Sequence, residues 1–139
     1  MNTKRNNRGI TLIELLVVMV IIAMFATIVG GRLFKNVERA RQTTAKAQIN
    51  ELESVLDMYR LDIGRYPSPE EGLPALRARP GNAEKWDGPY LRKDLPMDPW
   101  DRPYVYRFPG QHGDYDLLSL GADGQEGGDG DGADIVNWK

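Results

Sequence analysis

Two groups of residues in this chain have the types and spacing to do chemistry. The first is the segment 121–134, where six glycines are interleaved with Asp123, Glu126, Asp129, Asp131 and Asp134. Clustered carboxylates repel one another unless a cation sits among them, and irregular glycine backbone exposes its carbonyls. That donor set suits Ca2+, which takes about 6–8 oxygens from carboxylates and main-chain carbonyls. Counted from Asp123 as an EF-hand loop, Gly128, Asp131 and Asp134 fall on the sixth, ninth and twelfth positions. Gly127, however, offers no side-chain oxygen at the fifth, and the residues before the loop read as strand rather than helix. A tandem glycine-rich calcium repeat is also excluded, because the unit occurs once and Gly132 stands where the repeat needs Asp. The rival reading is a disordered acidic tail, against which Ile135 and Trp138 look like apolar anchors beyond the loop. The second group is Glu14, a carboxylate four residues beyond Ile10 in a stretch that is otherwise apolar to Val29 except for Thr11 and Thr27. At that depth in a bilayer a carboxylate costs on the order of 2.5–3.5 kcal/mol, so it either stays hydrated at the interface or needs a partner.

Other chemistries lack their parts. There is no cysteine, so neither a disulfide framework nor a thiolate site can form. The single histidine, His112, falls in a predicted turn between Gly110 and Gly113, with no nucleophile or phosphate-cradling loop to serve; its simplest role is an exposed turn residue. The chain reads as a non-enzyme. The net charge of -2 conceals an asymmetry: residues 1–46 carry eight Lys/Arg against Glu14 and Glu38, a net of +6, whereas residues 47–139 carry ten against eighteen acids, a net of -8. An acidic folded part repels phosphate, which argues against nucleic acid as a partner.

The elements that must position these groups follow from periodicity. Residues 1–9 are polar and bear Lys4, Arg5 and Arg8, and the twenty residues 10–29 match, at about 1.5 Å each, the roughly 30 Å of a bilayer core. The basic flank stays cytoplasmic and sends the rest outward. A secretory signal peptide has a shorter apolar core and a small-x-small cleavage site, which this run lacks; a plain signal anchor is the stronger rival. A protease cutting after Gly9 would instead place the new amine of Ile10 one helical turn from Glu14, or beside Glu14 of a neighbour. The helical pattern then continues. Ile49, Leu52, Leu56, Tyr59 and Ile63 recur at steps of three and four, which predicts one helix from about Ile10 to Leu61, apolar all round in its first half and amphipathic in its second. Gly30-Gly31 offers a weak point for a hinge. Arg32, Lys35, Arg39, Arg41 and Lys46 line the junction as a solvated face. All nine prolines lie between Pro67 and Pro109, so that region is mostly turn. Gly64 caps the helix, Ser68-Pro69-Glu70-Glu71 predicts a short helix to about Ala78, and Tyr104–Phe108 with Tyr115–Ser119 predict a β-hairpin whose aromatics, with Trp100, pack on the helix stripe.

Arg8-Gly9-Ile10-Thr11-Leu12-Ile13-Glu14, followed by the apolar run, resembles the prepilin-peptidase site of type IV pilins and pseudopilins. The resemblance implies cleavage after Gly9, N-methylation of Ile10 and a role for Glu14 in subunit docking; Ile10 departs from the Phe usual there. Leu56-Asp57-Met58-Tyr59-Arg60-Leu61-Asp62, Arg65-Tyr66-Pro67, Gly72-Leu73, Asp98-Pro99-Trp100, Tyr115-Asp116-Leu117 and the ending Ser119 to Gly124, Ala133-Asp134-Ile135 and Asn137-Trp138 resemble the major pseudopilins of type II secretion. Similarity runs from Arg8 to Trp138, and the lack of cysteine fits pseudopilins better than pilins with a disulfide loop. The fold so implied is α+β, type IV pilin-like: a long N-terminal helix packed against a small antiparallel β-sheet with a C-terminal calcium-binding loop. The domains expected are a cleaved leader (1–9), a transmembrane and assembly helix (10–30) and a periplasmic domain (31–139). The function implied is a subunit that polymerises into a periplasmic pseudopilus and drives folded proteins across the outer membrane. Its implied partners are copies of itself, minor pseudopilins, the inner-membrane assembly platform and prepilin peptidase, and its site is the inner membrane with the C-terminal domain in the periplasm. A minor pilin or competence pseudopilin is the alternative, and an anchored domain that never polymerises is another. For calcium, the resemblance implies one ion held by side chains of Asp123, Asp131 and Asp134 and by carbonyls of Leu120, Ala122 and Gly128, with Asp129 in reserve.

Overall fold

A computed structural model describes residues 9–139; the expected leader, Gly9 apart, lies outside the described residues. The chain divides into two compact units, Met1–Val37 and Glu38–Lys139. One helix, α1 (Leu12–Ile63, 52 residues), begins in the first and ends in the second. Its boundaries lie within two residues of those its periodicity predicts.

In the first unit Thr11 starts the helix. The Glu14 amide donates to Thr11 Oγ1 at 3.3 Å, as an N-cap requires. From there the side chains form no core. Leu12 is 83% exposed and Phe25 64%, and none of the most apolar window of the helix is buried within the chain. A helix that is apolar on every face gains nothing from water, so something apolar must cover it.

The second unit has a conventional core. Ile49, Leu52, Leu56 and Tyr59 are buried on one stripe of α1, with Ile63 packed at its end. The sheet is antiparallel, ordered β1 (Val105–Arg107), β2 (Asp116–Ser119), β3 (Ile135–Val136). The register pairs Tyr106 with Leu117 and Leu118 with Val136. All four residues of β2 are buried, since it is the central strand. Tyr104, Tyr115 and Leu117 join the helix stripe, Leu73, Leu76 and Leu91 in one cluster, and Tyr115 meets Tyr66 edge-on with centroids 4.7 Å apart. The hairpin aromatics therefore pack as predicted, with Tyr106 and Phe108 against the same cluster, but Trp100 does not join it: its indole N–H donates to Glu38 Oε1 at 3.0 Å. Each fully buried large apolar side chain contributes about 1.5–3 kcal/mol of transfer free energy.

Gly64 ends α1 as expected: it sits at φ +85° and its amide donates to the Arg60 carbonyl at 2.7 Å. The next segment departs from expectation. Ser68 and Glu71 do form a reciprocal capping pair, with the Ser68 amide donating to Glu71 Oε2 at 2.8 Å and the Glu71 amide to Ser68 Oγ at 3.4 Å. No α-helix to Ala78 follows. Gly72 breaks away from helical geometry and only a 3-10 turn, Leu73–Leu76, forms, with Pro74 in its first turn. The strand β3 was not expected either; the sequence marked Ile135 only as an apolar anchor. Lys46, expected on a solvated face, donates instead to the carbonyls of Val136 at 2.7 Å and Lys139 at 3.0 Å.

Candidate assembly and metal-binding sites

The first candidate site lies at the start of α1. Gly9 and Ile10 are exposed and precede the helix without regular structure, so the peptide bond between them is accessible to a peptidase. Glu14 is the acid of the helix's first turn, where a carboxylate favours the partial positive charge of the N-terminus. It is exposed, and among the described residues no cation lies within ion-pair distance of it. Thr11 is a participant that the reading of the sequence passed over. The pattern Thr11-Leu12-Ile13-Glu14 has the Thr-x-x-Glu spacing of a capping box and could have signalled it.

The second candidate site is the acidic loop. Seven expected ligands lie along it, and the structure treats them differently. Asp123 is exposed; its Oδ1 accepts the Gln125 amide at 3.0 Å. Its Oδ2 lies against Gly128 and Gly132, 3.1 and 2.9 Å from where side-chain carbons would stand. Asp134 is half-buried, with Oδ2 accepting the Gly127 amide at 2.8 Å. Asp123 thus lies against Gly128 and Gly132, and Asp134 holds the neighbouring Gly127. Gly128 must be glycine there, because φ is +77° and a Cβ would stand 2.5 Å from the Gly132 carbonyl oxygen. Asp131 lies in a 3-10 turn (Gly130–Gly132) and Asp129 precedes it, making no capping bond; both are exposed. The Leu120 carbonyl accepts the Gly124 amide at 3.1 Å, and the Ala122 carbonyl accepts Nη2 of Arg102 at 3.3 Å. Among the described residues no three acidic or imidazole side chains converge as a ready-made cation cluster. One atom nevertheless asks for a cation: Asp134 Oδ1 is buried and has no hydrogen-bond partner. An orphaned carboxylate oxygen is costly unless something positive meets it. The loop's oxygens therefore fit a hard divalent ion.

Behind the loop is a polar node absent from the sequence-derived candidates. Asp98, 3% exposed, accepts the amides of Trp100 at 3.0 Å and Arg102 at 2.9 Å on Oδ1, and the Ser119 hydroxyl at 2.6 Å on Oδ2. Ser119 Oγ accepts the Gly121 amide at 3.3 Å. Arg102 reaches on to the Gly121 carbonyl at 2.7 Å. His112 keeps its turn position, but its ring stacks on Trp138 with centroids 4.0 Å apart, and Nδ1 lies 3.2 Å from Asp116 Oδ2. Asp116 is buried. Burial alone would raise its carboxyl, yet the amides of Gln111 and His112 and the imidazole outweigh it and hold it below the ordinary range.

An N-terminal helix that is apolar and exposed in its first half and packed against a small antiparallel sheet in its second defines the class of pilin-like subunits. A family model described as the prokaryotic N-terminal methylation motif matches residues 4–30, and one described as type II secretion system protein G matches residues 32–138. The chain belongs to the type II secretion system protein G family, that of the major pseudopilins. It is 46% identical to the type II secretion system core protein G of Vibrio cholerae, over 99% of this chain and 96% of that one. Its identity to the core protein G of Pseudomonas aeruginosa is 45%, over 97% of each. The crystal structure of the major pseudopilin from the type 2 secretion system of enterohaemorrhagic Escherichia coli matches with a TM-score of 0.63 and 40% identity, covering 76% of this chain and 93% of that one.

Proposed function

We propose that this chain is the filament-building subunit of a type II secretion machine, held in the inner membrane by residues 10–30 until it assembles. Prepilin peptidase removes residues 1–9, and the Ile10 amine so released is N-methylated. A secondary or tertiary methylated amine remains a cation, so it can neutralise Glu14 of an adjacent copy within an apolar helix bundle. The supporting observation is the conjunction of an apolar helix half that is exposed on every side with one carboxylate in its first turn. Copies stack with that charge paired and push folded proteins through the outer membrane from the periplasmic side. Minor pseudopilins and the inner-membrane assembly platform are the further partners this role requires.

In the acidic loop we assign calcium to Asp123 and Asp134 first, with Asp131, the carbonyls of Leu120, Ala122 and Gly128, and Asp129 completing the set. Calcium supplies the positive charge that lets these carboxylates sit together and keeps the loop in one conformation. The chain's residues do the rest: Asp98 fixes the loop's start and Lys46 fixes its far end at β3. The decisive experiment is Glu14→Gln. The variant is expected to insert and lose its leader normally, as seen by mass of the mature protein, and to form no filament. Normal filaments from it would refute the docking role.

A further inference from the structure

The guanidinium of Arg102 occupies an unusual place. Nη1 donates to the Gly121 carbonyl at 2.7 Å and Nη2 to that of Ala122 at 3.3 Å, so one rigid fork spans the first two residues of the acidic loop. Among the described residues no carboxylate lies within ion-pair distance of it. Its close approach depends on Gly124, where a Cβ would stand 2.6 Å from Arg102 Cζ. The charge cannot be shed, since arginine stays protonated in proteins. Of the loop's acids Glu126 is paired with Arg107, whereas Arg102 brings a second fixed cation to the loop that is bound to main-chain oxygens rather than to an acid.

We propose that Arg102 is a resident counter-cation that competes with calcium for the Ala122 carbonyl and thereby sets the loop's affinity for the ion. The proposal rests on the calcium reading above. Two arguments give its sign. A carbonyl oxygen already accepting from a guanidinium is a poorer metal ligand, and a fixed positive charge at the loop repels a second cation. Arg102 is also not needed to hold the loop's start. The Arg102 amide, the Ser119 hydroxyl and the Gly121 amide are tied through the Asp98 carboxylate and Ser119 Oγ, and those bonds do not involve the guanidinium. Removing the guanidinium therefore removes the competitor and leaves the scaffold. The cell gains a subunit whose loop is partly ordered before calcium arrives and whose binding is weakened into a range where calcium supply matters.

The test uses the full-length protein in detergent, stripped with a chelator and titrated with calcium chloride by calorimetry. Arg102→Gln is expected to bind calcium about five- to tenfold more tightly than the wild type, within the usual range of coupling between neighbouring sites, and to melt at a lower temperature in chelator. Arg102→Lys keeps the charge but replaces the planar two-pronged fork with a single flexible ammonium, and is expected to fall between them. Should the Gln variant fail to fold, the Lys variant decides alone by the same criterion of tighter binding. Equal or weaker binding in folded variants overturns the proposal and makes Arg102 part of the scaffold. A wild-type protein that binds no calcium overturns the calcium reading itself, and the competition with it.

Discussion

Asp98 shows how much can depend on one side chain that is itself no candidate ligand. Its carboxylate satisfies two amides and a hydroxyl in a place closed to water. Asp98→Ala orphans all three donors, and a loss of about 3 kcal/mol or more is expected in denaturant unfolding, because buried donors without acceptors cost about 1–3 kcal/mol each. A second residue-scale prediction concerns pH. Glu71 takes two bonds of 2.7 Å from Arg65, which outweigh burial and pull its carboxyl down to about 2. A depressed folded value means the pair stabilises the fold above the unfolded carboxyl's range, near pH 4.3, and ceases to do so as pH falls toward 2. Melting temperatures of wild type and Glu71→Gln should differ most above about pH 5 and converge near pH 2. A gap that persisted in acid would remove this pair from the account.

At the level of elements, the acidic loop is tied at its start through Asp98 and Ser119 and beyond its end by β3 and Lys46, while its middle meets the rest of the fold through Arg107 on Glu126 and the Gln42 amide on the Gly130 carbonyl. On the calcium assignment proposed above, chelation is expected to loosen residues 119–138 and lower the melting temperature of the second unit, and hydrogen exchange should show α1 unchanged. Equal stability in calcium and chelator would end the assignment. The ease with which elements could be read from sequence follows the range of the forces that make them. The Ile49-to-Ile63 stripe, the Gly64 stop and the hairpin rest on neighbours three or four residues apart, or on alternation, and were legible. The helix expected to run to Ala78 failed because Gly72 and Pro74 prevail over the capping pair before it. The strand β3 has two residues, too few for any alternation to register, and exists because β2 offers it an edge. The contacts of Arg102 with Gly121 and of Lys46 with Val136 join residues 19 and 90 positions apart, and no local pattern announces them. The loop's carboxylates and glycines were legible as residue types, whereas the way Asp134 engages the Gly127 amide and Asp123 lies against Gly128 and Gly132 depends on backbone that only the fold supplies.

For the whole molecule, the buried cluster lies entirely within residues 38–139. A fragment of those residues is expected to fold, stay soluble and remain monomeric in analytical ultracentrifugation, while the full chain requires detergent. A fragment that unfolded or aggregated would show that the first unit contributes to the core after all. The bare apolar helix of that first unit carries a further implication. Lipid tails and a neighbour's leucines are equally greasy surroundings, so leaving one for the other changes its solvation free energy little. Apolar solvation alone then gives a polymer built on such a rod little preference between gaining and shedding subunits, so any preference must come from its polar contacts.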